Sequence, residues 1–289
     1  MNNILEIHHL SKAYDNFLLE DISFNLEPGY IMGLVGGNGA GKTTLINLIL
    51  NKMGKTSGEV KVFGLDHIQH EKQIKQQLGV IFDEAGIVSE WMLKEVEQAY
   101  SLFYKEWNSK TFYNYLEKFH LNPHMKVKDL SRGMTVKMML ATAFAHDAKL
   151  LILDEPTSGL DPASRDMLME ILQDYIEDGT KSVVFSTHIT SDLEKVADFI
   201  TCIDQGKLIY TGTKDELLES YRRVKGGSNE YKGYEQWMIG LRKYTAGFES
   251  MVKYEDVKKM SEAFIIEPLS IEDILVFISR EGKKHGRKY

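Results

Sequence analysis

The run Gly36 to Thr44, G-G-N-G-A-G-K-T-T, constrains this chain more than any other stretch. It fills every specified position of the phosphate-binding pattern G-x-x-x-x-G-K-[ST], with Gly36, Gly41, Lys42 and Thr43 in place. The apolar run Tyr30 to Val35 before it reads as a buried strand, and Thr44 to Leu50 after it reads as a helix closed by Gly54. Across Gly36, Gly37, Asn38, Gly39, Ala40 and Gly41 the backbone can turn tightly and aim several N–H groups at a phosphate, where the helix N-terminus adds partial positive charge. Lys42 would reach the outer phosphates, and Thr43 would offer its hydroxyl to Mg²⁺ with Thr44 beside it. A glycine-rich turn that binds nothing is the plainer reading. The strand before, the helix after and the four filled positions speak against it.

The 289 residues can bury a substantial core, as one large domain with an appendage or as two. Hydrophobic residues make up 43% and no apolar run approaches the ~18 to 20 residues that span a bilayer, so the chain is not expected to cross a membrane by itself. Residues 1–16 mix charged residues through their apolar positions, which argues against a secretory signal. The single cysteine, Cys202, cannot form an internal disulfide, and a reducing compartment fits. The net charge of -7 disfavours nucleic acid as the main partner.

Taken in order, Ile4 to Leu10 and Leu18 to Leu26 alternate apolar and polar around Tyr14-Asp15-Asn16 and predict an antiparallel β layer. The Tyr14 ring could lie on an adenine face, although an edge-strand tyrosine packing on its neighbours is the better reading from these residues alone. Glu59 to Phe63 reads as a strand, Glu71 to Gln77 as a solvated helix and Leu78 to Phe82 as a strand; His67 and His70 read as surface histidines. From Trp91 to His146 the spacing turns helical, with one stripe at Val96, Tyr100 and Phe103 and another at Phe112, Tyr115, Leu116 and Phe119. A helical subdomain over about 88–147 is predicted, inserted into an α/β domain.

Within it, Leu130-Ser131-Arg132-Gly133-Met134 precedes a good helix and is a second potential phosphate site. Leu150 to Leu153 reads as a buried parallel strand ending in Asp154-Glu155, where P-loop enzymes place a Mg²⁺-organising acid and a water-activating group. The strand Val183 to Phe185 delivers His188 to the C-terminal edge of the sheet, where open α/β sheets bind ligands. Ser191 with Glu194 and Thr213 with Glu216 fit capping boxes, the second starting a helix toward Arg223. Thr201 to Ile203 and Lys207 to Tyr210 read as a hairpin, and Lys225 to Gly233 as a linker. The remainder, 234–289, contains a helix-like run from Ile271 to Ser279 and a basic end, Lys283 to Lys288, read as a solvated terminus or, secondarily, a contact for anionic lipid headgroups.

This series of motifs resembles the ATP-binding subunit of ABC transporters over about 1–220, and within that family the bacterial exporters that include those for bacitracin resistance and phenol-soluble modulins. The resemblance implies a P-loop NTPase core with an antiparallel β layer, an inserted helical subdomain and a small extension, 221–289. It implies that Tyr14 stacks on adenine, that Leu130 to Met134 is a signature loop whose Ser131 and Gly133 hold the γ-phosphate, and that Ser158 to Asp161 is an inter-subunit aspartate loop. Glu155 would polarise the attacking water, His188 and Lys42 would stabilise the transferred phosphoryl group, and Thr43, Asp154 and Asp83 would organise Mg²⁺. Two positions depart from the family pattern. Asp83-Glu84 stands where Gln is usual, and Ser-Arg-Gly-Met stands where Ser-Gly-Gly-Gln is more common.

The implied unit is a homodimer sandwiching two Mg-ATP, bound at the cytoplasmic face to separately encoded membrane permease subunits. A soluble ABC ATPase acting on DNA or ribosomes, or a regulatory ATP-binding protein, are the competing classes. The first lacks support in sustained heptads or a second phosphate loop, and the second is weakened by Glu155.

Overall fold

The structure is a computed structural model that describes residues 3–82 and 86–284, with side chains as far as 282; Asp83 lies outside the described residues. The chain divides into two compact units, 1–211 and 212–289.

The first unit begins with β1 (Leu5–Ala13) and β2 (Leu18–Leu26), paired antiparallel with Leu5 opposite Leu26 and Ala13 opposite Leu18. β3 (Ile31–Val35) is buried at every residue and runs into the Gly36–Gly41 loop and α1 (Lys42–Ile49). β4 (Ser57–Val62) and the two-residue β5 (Leu65–Asp66) complete the antiparallel layer. After α2 (Glu71–Lys75) comes β6 (Leu78–Ile81), and then three longer helices, α3 (Leu93–Phe103), α4 (Ser109–Lys118) and α5 (Arg132–Ala145). β7 (Leu150–Asp154), α6 (Pro162–Ile176), β8 (Ser182–Thr187), α7 (Thr190–Val196), β9 (Phe199–Asp204) and β10 (Lys207–Thr213) follow.

The ten strands order as β5-β4-β1-β2-β10-β9-β3-β8-β7-β6. β9, β3, β8, β7 and β6 are parallel, so the loops after β3, β7 and β8 leave one edge of the sheet together. Continuous aliphatic runs explain the burial of these strands on both faces. Leu34, Leu45, Leu48, Leu150, Ile152 and Val184 belong to one core cluster with the inner face of the antiparallel layer. Among the helices, Phe112 is fully buried and Tyr115 meets Phe144 at 4.6 Å. Truncating Phe112 to alanine would cost about 3–5 kcal/mol.

The second unit contains α8 (Lys214–Ser220), β11 (Tyr221–Gly226), β12 (Ile239–Lys243), β13 (Phe248–Lys253), β14 (Ile265–Glu267) and α9 (Ile271–Lys284). Its strands form an antiparallel sheet ordered β12-β13-β11-β14 over a core of Val224, Met238, Phe248, Val252, Met260 and Phe264.

Several expectations are corrected. The segment 225–233 is no linker: Lys225 and Gly226 belong to β11, where Lys225 pairs with Glu267 at 2.6 Å. The helix begun by the Thr213–Glu216 capping box stops at Ser220 because Tyr221 opens β11, which places it in the second unit. His67 is buried, with Nδ1 3.0 Å from the carbonyl of Val60, and burial holds its pKa down. Phe103 is 61% exposed and leaves its predicted stripe, whereas Val96 keeps to it. Ser191 does not cap α7; the helix starts at Thr190 behind Ile189, whose N–H donates to Thr187 Oγ1. The basic end from Lys283 onward lies outside the described side chains.

Candidate nucleotide site

Gly36 ends β3 against the carbonyl of Ile203: a Cβ there would stand 2.2 Å from that oxygen, so only glycine fits. Gly41, at φ 115°, turns the loop into α1 in a backbone region that side chains rarely adopt. Lys42 is then buried at the first position of the helix, with Nζ donating to the carbonyl of Gly36 at 2.9 Å. Gly37 to Thr44 line a cavity of about 450 Å³ together with Phe17, Arg132, Glu155, Ser158 and His188.

Glu155 joins the parts. One carboxylate oxygen lies 3.3 Å from Lys42 Nζ, and the other accepts hydrogen bonds from His188 Nδ1 at 2.7 Å and from the His188 N–H at 3.3 Å. Its backbone sits at φ 51°, in the left-handed region, at a cost on the order of 1–3 kcal/mol. The Glu155 N–H is held there by Ser186, through its carbonyl at 3.1 Å and its Oγ at 3.0 Å. The same Ser186 hydroxyl donates to Asp154 Oδ1 at 2.6 Å, so one residue of β8 orients both acids at the end of β7.

The predicted residues are only partly gathered. The loop Gly37 to Thr44, Glu155 and His188 share the cavity, and Asp154 is buried at the strand end next to it. Tyr14 does not line the cavity; it is exposed, and its hydroxyl donates to Met53 Sδ at 3.0 Å. Phe17, its ring 6.3 Å from that of Tyr14, lines the cavity beside Gly41 instead. Neither Ser131 nor Gly133 lines it: Ser131 caps α5, accepting from the Met134 N–H at 3.3 Å. Asp161 caps α6, accepting from the N–H groups of Ala163 and Ser164 at 3.0 Å, and the Ser164 hydroxyl, followed by these amides, holds its pKa below the usual carboxylate range. Phe17 and Arg132 were missed by sequence reasoning. An aromatic residue on the loop that already carried Tyr14, and a cation where a glycine is common, were the available signals.

For Mg²⁺ the donor chemistry fits. Thr43 offers an exposed hydroxyl and Asp154 a carboxylate, an all-oxygen set of the sort a hard cation completes with water and phosphate oxygens. Among the described residues no group of three or more histidines, cysteines or acids could hold a metal unaided.

A parallel sheet with a phosphate loop after one strand, paired acids after the next but one and a histidine between them defines a P-loop nucleotide hydrolase. The ABC transporter family profile matches residues 19–158. The chain is 31% identical to "ABC transporter ATP-binding protein NatA" of Bacillus subtilis (strain 168), over 71% of this chain and 85% of that one. It is 30% identical to "Bacitracin transport ATP-binding protein BcrA" of Bacillus licheniformis, over 77% of this chain and 74% of that one. Among solved structures it is similar to one described as "Structure of ATP binding subunit of ABC transporter", with a TM-score of 0.68 and 27% identity, covering 74% of this chain and 91% of that one. The chain belongs to the ABC transporter ATP-binding family, whose characteristic activity is ATP hydrolysis. No helix among the described residues is long and apolar enough to cross a membrane.

Proposed function

We propose that two copies of this chain close around two Mg-ATP and drive export of a peptide, antibiotic or other amphipathic compound through separate membrane subunits, working from the cytoplasmic face of the membrane. The observation that carries the ATPase part is the Lys42–Glu155–His188 constellation beside the phosphate loop. Likeness to a subunit named for bacitracin transport supports the cargo class.

Lys42 and Glu155 form an ion pair at 3.3 Å. A phosphate entering the cradle competes with Glu155 for the ammonium, since both are anions and the Gly37–Gly41 amides favour the phosphate. One Glu155 oxygen is thereby released to polarise water while His188 holds the other in place. Lys42 and His188 then stabilise charge on the transferred phosphoryl group. Mg²⁺, held by Thr43 and Asp154, would neutralise charge on the phosphate oxygens. Ser131 and Gly133, lying outside their own chain's cavity, are assigned to the partner copy's γ-phosphate, with Asp161 at the junction. Tyr14 is assigned to the adenine ring, with Phe17 as the residue already at the cavity.

The test is reconstitution in vesicles with candidate membrane subunits. Export requires ATP-dependent cargo efflux that disappears with Glu155→Gln. Uptake in the same assay would overturn the export direction, and failure of every membrane subunit to raise the ATPase rate would sink the transport reading.

A further inference from the structure

Arg132 is the first residue of α5, between the Ser131 cap and Gly133. Its guanidinium turns back onto the chain's own catalytic loop. Nη2 donates to the carbonyl of Glu155 at 3.3 Å, and the side-chain Cδ lies 3.2 Å from where a Cβ on Gly159 would stand. The same carbonyl accepts from the Ser158 N–H at 3.2 Å, closing a turn that the Leu160 N–H continues by donating to Thr157 at 3.1 Å. Ser186 holds Glu155 from its N–H side, and Arg132 supplies the side-chain contact, beside the Ser158 N–H, on the carbonyl side of a residue kept at φ 51°.

We propose that Arg132 is a positioning residue that fixes the Glu155 backbone and, through it, joins the two nucleotide half-sites carried by one chain. The Ser131–Gly133 turn serves the partner copy's nucleotide and the Glu155 loop serves the chain's own; Arg132 belongs to the first and binds the second. This link between sites rests on the sandwich dimer proposed above, whereas the contact itself does not. A planar fork suits the task, because it can meet the carbonyl while staying packed against Gly159.

The test compares the full-length chain with Arg132→Gly and Arg132→Lys, after circular dichroism shows equal helix content. In nucleotide-free protein, amide exchange at Ser158 and Leu160 is expected to rise about tenfold in Arg132→Gly and less in Arg132→Lys. In the ATPase assay Arg132→Gly lowers kcat about tenfold with KM within about twofold, and the Hill coefficient for ATP falls toward one. Binding of a fluorescent ATP analogue by the unmutated chain is measured alongside. Unaltered exchange in both variants, or a raised KM with unchanged kcat, overturns the positioning role. If the unmutated chain fails to bind the analogue, the nucleotide reading falls and the link between sites with it, while the exchange data still judge the Arg132 contact.

Discussion

Glu155 Oε1 stands 3.3 Å from Lys42 Nζ, and the two residues reach this pairing at the same edge of the sheet, Glu155 directly after β7 and Lys42 at the start of the helix that follows β3 and its loop. The carboxylate is therefore spoken for until a stronger anion takes the ammonium. Glu155→Gln keeps an oxygen for His188 but loses the charge. It is expected to lower ATP hydrolysis by roughly 10²- to 10⁴-fold while nucleotide binding persists or tightens. Single-turnover hydrolysis beside fluorescent-analogue titration checks both halves; equal losses of binding and hydrolysis would refute the assignment.

Lys42→Ala removes the buried cation of the cradle. Nucleotide affinity is expected to fall about 10- to 100-fold, as the loss of one charge-assisted contact implies. The thermal upshift given by ATP in the unmutated chain should shrink in step. Undiminished affinity would mean that the nucleotide lies elsewhere.

His146 packs face to face on Tyr104 at 3.8 Å, with Nδ1 2.8 Å from the Thr142 carbonyl and Nε2 3.1 Å from the Leu78 carbonyl. Burial, opposed by these carbonyls, holds its pKa below the ordinary 6.5. The folded chain then binds fewer protons there than the unfolded chain. The stability from this ring is full above 6.5 and is lost as pH falls through the lower folded value. Urea midpoints at about pH 8 and about pH 5 should differ more for the unmutated chain than for His146→Phe, which keeps the stack and cannot titrate. Equal differences would remove His146 from the account.

Cys202 is buried in β9, and burial pushes its thiol up to about 12. A thiol-specific reagent is expected to leave the native chain unlabelled and to label it stoichiometrically in denaturant. Rapid native labelling would contradict the packing of β9.

The sequence showed the site better than it showed the second unit, for a physical reason. Gly36, Gly41 and Lys42 lie in one contiguous run whose spelling marks a phosphate loop, and the Asp154-Glu155 pair follows a strand too apolar to lie anywhere but in the sheet. Nothing local marks 225–233 as structured. Its first two residues are ordered by cross-strand partners far along the chain, Phe248 opposite Gly226 and Glu267 beside Lys225. His67 misled because its burial depends on β4 folding back to offer the Val60 carbonyl. Ser191 fits a cap in pattern, but Thr187, at the end of β8, takes the Ile189 amide and the helix starts two residues early. Arg132 and Phe17 escaped because their roles depend on which loop each meets across the cavity.

Light scattering of Glu155→Gln, with and without Mg-ATP, tests the central claim most directly. A shift from monomer to dimer that requires Mg-ATP is the predicted result, because in the proposed sandwich each chain would carry the phosphate loop of one site and the Ser131–Gly133 turn of the other. A chain that stays monomeric with ATP demonstrably bound would contradict the self-sufficient sandwich.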